Sequence, residues 1–244
     1  MRAVFTKEIR QLFSNYVAWA VIAAFSLVGT LFLFFFDNSF NLIEIGTASL
    51  QSFFVLAPWI FIVLMPALGM KSFAEEQQNG TLQWLFAQPI GTAEVVLGKF
   101  FPVWLLGVLC LVPSLLYVYT IYTLAVPVGN IDTGMLTGSY IGSVLLIGTF
   151  AAVSLLTSAL SGSQITAYLT AVLLNFILYF GTEQLASYKL LGSADYFLQQ
   201  FSLSWHYQAF ARGVVDSSDI SFFLFIIVLL LALCRYVVGR KKIG

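Results

Sequence analysis

The residues best suited to specific interactions lie in one segment, residues 71–99, which reads KSFAEEQQNGTLQWLFAQPIGTAEVVLGK. Glu75 and Glu76 are adjacent carboxylates, and carboxylates form strong hydrogen-bonded ion pairs with basic side chains. A few residues later the segment carries three large apolar side chains, Leu82, Trp84 and Leu85. An apolar surface of this size in a loop is typically buried against something, so the segment predicts protein docking. The alternative is that it lies on the membrane interface, where tryptophan is common.

The local sequence predicts that the segment contains a short helix held between two turns. Asn79-Gly80 predicts the end of one helix, because both residue types tolerate the left-handed conformation that follows a helix C-terminus. Thr81 is suited to the N-cap of a second helix through Gln88, and Pro89 ends that helix. Gly91-Thr92 then begins the next helix.

Sequence motifs for catalysis are missing. Gly98-Lys99 resembles the end of a P-loop, but Phe100 follows it and Ala93 stands where the first glycine belongs. We therefore expect no ATPase site in this chain, no cofactor and no metal ion.

The remaining residues with reactive side chains favour structural roles. The single histidine, His206, has its nearest acids in the sequence at Asp195 and Asp216, which is not ligand spacing. An ordinary histidine at an aromatic interface is therefore expected. Cys110 and Cys234 lie in apolar runs, where cysteine acts as a small apolar residue.

The scarcity of charged residues decides the fold class. Of 244 residues, 60% are hydrophobic and only 9% are charged, against about 25% in soluble domains. The 11 basic residues balance the 11 acidic ones, which argues against nucleic-acid binding. The composition therefore predicts an all-α polytopic membrane protein, because the apolar runs do not alternate as the strands of a membrane barrel would.

Uncharged runs long enough to cross a bilayer, about 20 residues each, define the predicted spans. We expect a single transmembrane domain over residues 1–244. Its six helices are predicted near residues 16–36, 52–70, 100–122, 140–160, 165–182 and 220–239. Residues 71–99 then form a loop on the side of the membrane that holds both termini.

Basic residues segregate strongly across this predicted membrane. With both termini in the cytoplasm, only Lys189 and Arg212 of the 11 basic residues lie outside. The nine inside are Arg2, Lys7, Arg10, Lys71, Lys99, Arg235, Arg240, Lys241 and Lys242. The positive-inside rule therefore predicts cytoplasmic N- and C-termini.

Two further regions are predicted to lie along the membrane surface. In residues 1–15 an apolar face beside basic residues indicates an interfacial helix, the alternative being a basic tail with no further role. That face consists of Phe5, Ile9, Leu12, Phe13 and Tyr16, with Arg2, Glu8, Arg10 and Ser14 largely away from it. The outer loop 183–219 holds an amphipathic aromatic stretch that predicts one or two helices lying in, or dipping into, the outer leaflet.

Small and polar uncharged residues gather in the fourth and fifth predicted spans. Gly138 and Gly142 form a small-xxx-small pattern, and Thr170 and Asn175 add polar side chains to the fifth span. Close helix packing explains most residues of this kind, and a substrate path lined by them is the alternative. No ionisable residue falls near mid-membrane, which argues against a proton-coupled carrier and a simple cation channel.

The 71–99 segment resembles the loop motif of the ABC-2 type transporter permease family. The matching residues, in the same order and spacing, are Phe73-Ala74-Glu75-Glu76, Gly80-Thr81-Leu82, Pro89-Ile90, Val95 and Gly98-Lys99. The likeness covers the whole chain and is greatest to the smaller permease subunits of ABC transporters associated with gliding motility. The residues similar to that branch are Ser52-Phe53-Phe54, Pro58-Trp59, Pro66, Gly129–Asp132 and Phe210–Asp216. Gln77 and Gln78 depart from the family, which often has basic residues there.

This resemblance implies a six-helix, type V exporter-like permease half with an N-terminal interfacial helix and outer re-entrant helices. It implies that residues 71–99 hold a coupling helix seated on a cytoplasmic ABC ATPase dimer, which would carry ATP and Mg. The branch further implies a second, larger permease subunit with a periplasmic domain, in a bacterial inner membrane. The expected coupling residues are Glu75, Glu76, Gly80, Thr81, Leu82, Trp84, Leu85 and Pro89, with the two glutamates pairing with basic ATPase residues.

Three functional hypotheses follow from the sequence. The first is a permease subunit, without an ATPase site of its own, of an ATP-driven exporter or of a mechanical machine built on that plan. The others are a non-transporting membrane scaffold for motility or envelope proteins, and a passive channel.

Overall fold

The structure, a computed structural model, describes residues 2–14, 16–46, 49–88, 90–181, 183–184 and 200–243, and these contain helices and turns but no strand. The first half comprises α1 (Arg2–Ser14), α2 (Val17–Thr30), α3 (Leu42–Ile45), α4 (Gln51–Gly69), α5 (Lys71–Gln78) and α6 (Leu82–Ala87). The second comprises α7 (Thr92–Leu109), α8 (Leu115–Leu124), α9 (Thr133–Leu160), α10 (Gln164–Phe176), α11 (Leu203–Ala211) and α12 (Ser217–Ile243). Turns of π-helix extend α2 over Leu31–Phe35 and α10 over Ile177–Gly181, and a 3₁₀ turn, Val112–Ser114, joins α7 to α8.

Six helical stretches of the described residues are long and apolar enough to cross a membrane. They are Val17–Phe35, Gln51–Gln78, Thr92–Leu124, Thr133–Leu160, Gln164–Gly181 and Ser217–Lys242. The predicted all-α fold with six membrane-spanning helices is therefore confirmed.

Helix α9 lies at the centre of the bundle and packs against α4, α7, α10, α11 and α12. Small residues make this possible, because they let two helix backbones approach closely. A Cβ atom on Gly69 of α4 would lie 2.5 Å from the Cβ of Ser154 in α9. Gly107 of α7 is similarly tight, 2.5 Å from Ile147. These glycines of the second and third spans thus let α4 and α7 pack closely against α9.

The third span differs most from the sequence prediction. Helix α7 begins at Thr92, where the local sequence predicts a helix start, although the membrane span was predicted only from residue 100. Lys99 was expected to end the loop, but it lies inside this helix with a buried side chain. The predicted span starts later than the helix because a charged residue was taken as its boundary, whereas Lys99 is paired inside the protein.

Helix α1 lies along α7 at the same end of the bundle as α5 and α6. The predicted apolar face is partly buried, with Phe5, Ile9 and Leu12 of intermediate exposure. Two residues depart from the prediction. Tyr16 lies beyond the helix and is 91% exposed, and Glu8 faces the bundle because its carboxylate pairs with a lysine there.

The opposite end of the bundle is capped by α11, whose buried face includes Leu203, Tyr207 and Phe210. The Tyr207 hydroxyl donates to the Phe54 carbonyl of α4 at 2.9 Å, and it lies 3.2 Å from the Ser143 hydroxyl of α9. The outer loop 183–219 therefore contains a helix that packs on the bundle, whereas residues 185–199 lie outside the described residues.

Candidate functional site

A cleft of about 610 Å³ lies beside α5 and α6, and we call it the α5–α6 cleft. Its walls come from α1, the end of α4, α5, α6 and α7. The charged residues of its lining are Lys7, Glu8, Lys71, Glu75, Glu76 and Lys99. Thr81 and Trp84 also line it, so four of the predicted coupling residues share one cavity.

An ion cluster centred on Lys99 lies in this cleft. The Lys99 side chain is 2% exposed, and its Nζ lies 3.0 Å from Oε1 of Glu8 and 2.9 Å from Oε1 of Glu76. The same Nζ donates to the Ser72 carbonyl at 2.5 Å. An ammonium group has three N–H donors, so each can have an oxygen acceptor. Because an unpaired buried cation is costly, α1 and α5 must both be in place for Lys99 to be buried in α7.

Lys7 of α1 completes the cluster from the solvent side. Its Nζ lies 3.2 Å from Oε1 of Glu76, and its side chain is 59% exposed. Two ammonium groups thus balance the two carboxylates of Glu8 and Glu76. The second oxygen of Glu76, Oε2, is buried and accepts no hydrogen bond from the described residues. The cluster therefore has one unused acceptor.

Helix α5 is also fixed to α9, through the hydroxyl group of Ser158. This hydroxyl accepts hydrogen bonds from the backbone N–H groups of Phe73 and Ala74, both at 3.0 Å. It donates to the carbonyl of Met70, the residue between α4 and α5, at 2.8 Å. The first N–H groups of a helix have no partner within the helix. Ser158 therefore serves as a cap for α5 from a different helix.

The other side of α5 contacts the end of α12. Lys241 donates to Oε1 of Gln77 at 2.9 Å and to the carbonyl of Ala159 at 2.6 Å. Gln77 donates to the same Ala159 carbonyl at 3.2 Å. A basic residue at position 77 would therefore face Lys241. Helix α5 is thus attached to α1, α7, α9 and α12, a set of contacts that we call the α5 clamp.

The turn between α5 and α6 is set by Gly80, as predicted from its residue type. Gly80 has φ of +68°. The N–H of Gly80 donates to the Gln77 carbonyl and that of Thr81 to the Glu76 carbonyl, the paired bonds of a Schellman motif. The predicted side-chain N-cap by Thr81 is absent. Its hydroxyl instead donates to the Glu76 carbonyl at 3.4 Å, because α5 ends with that carbonyl close by.

Helix α6 presents one large apolar side chain to solvent. Trp84 is 80% exposed, whereas Leu82 is partly buried against the hydrophobic core. The side chain of Leu85 and all of Pro89 lie outside the described residues. Among the side chains described, Trp84 therefore provides the exposed apolar surface that was predicted for this loop.

The four residues predicted as a helix interface or a path make separate contacts, and the two glycines lie at a helix interface. A Cβ atom on Gly138 would lie 2.7 Å from the Phe210 carbonyl oxygen, and one on Gly142 would lie 2.7 Å from the Cβ of Phe210. Both glycines thus make room for α11 of the same chain. The Thr170 hydroxyl bonds to the Thr166 carbonyl of its own helix at 2.7 Å. Asn175 is fully buried, and neither polar atom of its amide has a partner among the described residues.

His206 joins α11 to α12 at the opposite end of the bundle from the cleft. Its Nδ1 lies 2.5 Å from Oδ1 of Asp219 and its Nε2 lies 2.8 Å from the Gln200 carbonyl. The ring stacks on Phe222 at a centroid distance of 3.9 Å. The acid that contacts His206 is therefore neither of the two nearest in sequence. Within the described residues no group of three possible metal ligands includes it.

Two groups outside the membrane-spanning helices have shifted pKa values. A hydrogen bond with Asp37 raises the pKa of Glu44, and desolvation and the Asp37 charge raise it further. Burial raises the pKa of the Tyr207 phenol, partly offset by its hydrogen bond with Ser143. Neither group belongs to the α5–α6 cleft.

The ion cluster and the α5 clamp were missed by sequence reasoning. Lys99 and Lys241 were treated only as charges that mark the inner side of the membrane, and Glu8 was placed away from the apolar face of the N-terminal helix. One local signal was present, because the predicted helix start at Gly91-Thr92 already places Lys99 two turns inside α7. A charge that deep in an apolar helix requires a partner.

The family of this chain follows from comparison with known proteins. The model of the ABC-2 family of transporter proteins matches residues 2–241, nearly the whole chain, and no curated protein matches it. Members of that family are multi-pass membrane components that lack an ATPase site and act with an ABC ATPase. The six apolar helices and the loop between α4 and α7 fit that description, and the chain belongs to the ABC-2 family of transporter proteins.

Proposed function

We propose that this chain is the permease half of an ATP-driven exporter in a bacterial inner membrane, with both termini in the cytoplasm. In this proposal α6 and the end of α5 form the coupling helix, seated on a cytoplasmic ABC ATPase dimer that binds ATP and Mg. The observation that carries the proposal is the combination of an exposed Trp84 on α6 with an α5 that is attached to four other helices. A force applied by the ATPase to the docking surface can reach the spans only if the helix next to that surface is held firmly by the bundle.

The α5 clamp suggests how ATP hydrolysis would move the spans. When the ATPase dimer closes on ATP, the coupling helix moves with it, and α5 moves as part of the same rigid unit. Ion pairs from Glu76 carry the displacement to α1 and α7, while Ser158 and Lys241 carry it to α9 and α12. Packed helices shift between discrete arrangements rather than deform continuously. The result would be a path for substrate that opens or closes between two permease subunits.

Substitution of Trp84 tests the docking step. Trp84→Ala should greatly weaken co-purification of a co-expressed ABC ATPase, because a large exposed aromatic residue is a typical binding hot spot. Trp205→Ala is the matched control, since Trp205 is also exposed, at 40%, but lies on α11. Retention of the ATPase by the Trp84→Ala protein would show that docking takes place elsewhere.

The assay must avoid Glu76, although sequence reasoning would place its carboxylate against the ATPase. In this structure Glu76 is paired with Lys99, so Glu76→Lys would bring two cations together and destabilise the chain itself. Glu75, which lines the cleft beside it, is the better position for charge reversal.

Measurement of ATP turnover separates transport from a scaffold function. With the permease and ATPase reconstituted in lipid, an exporter permease should change the rate of ATP hydrolysis. A membrane scaffold would leave it unchanged, with or without added substrate.

We further propose that this permease works with a second, larger permease subunit with a periplasmic domain, in a complex associated with gliding motility. This proposal is supported by the resemblance over Gly129–Asp132 and Phe210–Asp216. In the structure, Gly129 and Gly213 in these segments have φ of +85° and +81°, so both segments are turns of defined shape. Affinity purification of the tagged chain from a gliding bacterium should recover one larger permease and one ATPase. Recovery of this chain as the sole permease would instead indicate a homodimer.

A further inference from the structure

A groove runs between the first turns of α7 and the second half of α12. It has a volume of about 770 Å³, within the range of pockets that hold small molecules, about 300–1,000 Å³. Its walls are apolar along most of their length and include Val96, Leu97, Val228 and Leu231. Because both helices belong to membrane-spanning stretches, this wall is suited to hydrocarbon.

One end of the groove is basic. Arg235, Arg240 and Lys242 of α12 all line it, together with Tyr236, and none of the described residues that line it is acidic. The guanidinium carbon of Arg240 lies 5.8 Å from the centre of the Tyr236 ring, so a cation–π contact positions it. The neighbouring Lys241 takes no part, because it turns to Gln77 and Ala159 on the other side of α12.

We propose that this groove is a binding site for an anionic phospholipid. The acyl chains would lie against the apolar walls of α7 and α12, and the phosphate would pair with Arg235, Arg240 and Lys242. Arginine binds phosphate through paired N–H donors, and basic pockets between membrane helices are known to hold anionic head groups. A zwitterionic lipid would fill the same apolar wall but would leave the excess of positive charge at the end of the groove unbalanced.

The site has a consequence for the α5 clamp. Helix α12 carries the proposed lipid ligands on one side and Lys241, which holds Gln77 of α5, on the other. A bound lipid would therefore fix the end of α12 against α7 and so support the contact between α12 and α5.

Native mass spectrometry of the full-length chain in an uncharged detergent tests this proposal. Phosphatidylglycerol and phosphatidylcholine with the same acyl chains are titrated separately. Wild-type protein should retain phosphatidylglycerol in preference to phosphatidylcholine. Arg235→Gln/Arg240→Gln should lower the affinity for phosphatidylglycerol about 20- to 30-fold, since each basic residue near a lipid surface contributes about 1 kcal/mol. Arg10→Gln, at an exposed basic residue on α1, should have no such effect.

A second variant tests the groove without removing charge. Gly239 lines the groove, and a Cβ atom added to it meets no atom within 4 Å. Gly239→Leu should therefore fold normally, fill the groove and weaken binding of phosphatidylglycerol. Equal binding of both lipids by the wild type, or unchanged phosphatidylglycerol affinity in both variants, would overturn the proposal. Because the assay contains no ATPase, its result is independent of the docking experiment on Trp84.

Discussion

Lys99 connects three helices through one side-chain nitrogen, and its substitution should reveal how much the cluster contributes to stability. Lys99→Met leaves the carboxylates of Glu8 and Glu76 close together without their buried cation. We expect a loss of about 3–5 kcal/mol in the free energy of unfolding, the usual cost of removing one partner from a buried ion pair. Thermal unfolding in detergent measures this loss as a lower melting temperature.

Two control variants test whether the loss of stability comes from the buried ion pairs of Lys99. Lys7→Gln should cost less than about 1 kcal/mol, because Lys7 is largely exposed and surface ion pairs contribute little. Lys99→Met/Glu8→Gln/Glu76→Gln should recover most of the stability, since no buried charge then remains unpaired. Equal effects of the Lys7 and Lys99 substitutions would contradict the arrangement described here.

Substitution of Asn175 should have the opposite effect on stability. Its amide is fully buried without a partner among the described residues, and an unsatisfied polar group costs about 1–3 kcal/mol. Asn175→Leu should therefore raise the melting temperature. Thr170→Val, at an exposed position on the same helix, should change stability by less than about 0.5 kcal/mol. A clear destabilisation by Asn175→Leu would mean that the amide has a hydrogen-bond partner within the folded chain.

At the scale of elements, the turn between α5 and α6 depends on Gly80. Its φ of +68° is unfavourable for any residue with a Cβ, although a Cβ there would meet no atom within 4 Å. Gly80→Ala should thus cost about 1–2 kcal/mol from backbone conformation alone. It should also weaken binding of the ATPase, because α6 would change its angle to α5.

Gly162 provides the matched control for this substitution. A Cβ there also meets no atom within 4 Å, and its φ lies outside the left-handed region. Gly162→Ala should leave both the melting temperature and ATPase co-purification as in the wild type. If both alanine variants behave alike, the conformation of Gly80 is not what positions α6.

Features that depend on a few adjacent residues can be predicted from the sequence, whereas contacts between distant residues cannot. The turn at Gly80 and the helix start at Thr92 depend on backbone preferences of a few adjacent residues, so local sequence predicts both. The contact between Glu8 and Lys99 joins residues 91 positions apart. It depends on α1 packing against α7, which no local pattern encodes. For the same reason the clamp by Ser158 could not be predicted, since a serine in a span is more often a packing residue.

At the scale of the whole molecule, the distribution of basic residues predicts which end of the bundle faces the cytoplasm. The two native cysteines, Cys110 and Cys234, are buried, so single introduced cysteines can report topology against a low background. Gln78→Cys and Ser218→Cys place thiols at exposed positions in α5 and at the start of α12. A membrane-impermeant maleimide added to intact spheroplasts should label position 218 at once, and position 78 only after permeabilisation. The reverse pattern would invert the proposed orientation.

The outer surfaces of the bundle remain available for assembly or lipid. In the apolar stretch of α9, 78% of the residues are buried within the chain. The corresponding fractions are only 22% for α2, 22% for α10 and 17% for α12. A central, well-packed α9 with exposed helices around it suits a subunit that shares its membrane surface with a second permease. The groove on α12 assigns part of that surface to lipid.

The burial of Lys99 also makes it a chemical reporter. With its nitrogen occupied by three oxygens and its side chain 2% exposed, Lys99 should resist acylation by amine-specific reagents that modify the exposed Lys7. That resistance lasts only while α1 and α5 stay against α7. If these helices move as one unit, Lys99 should stay unmodified during ATP turnover, and its acylation, read by peptide mass spectrometry, would show that they separate.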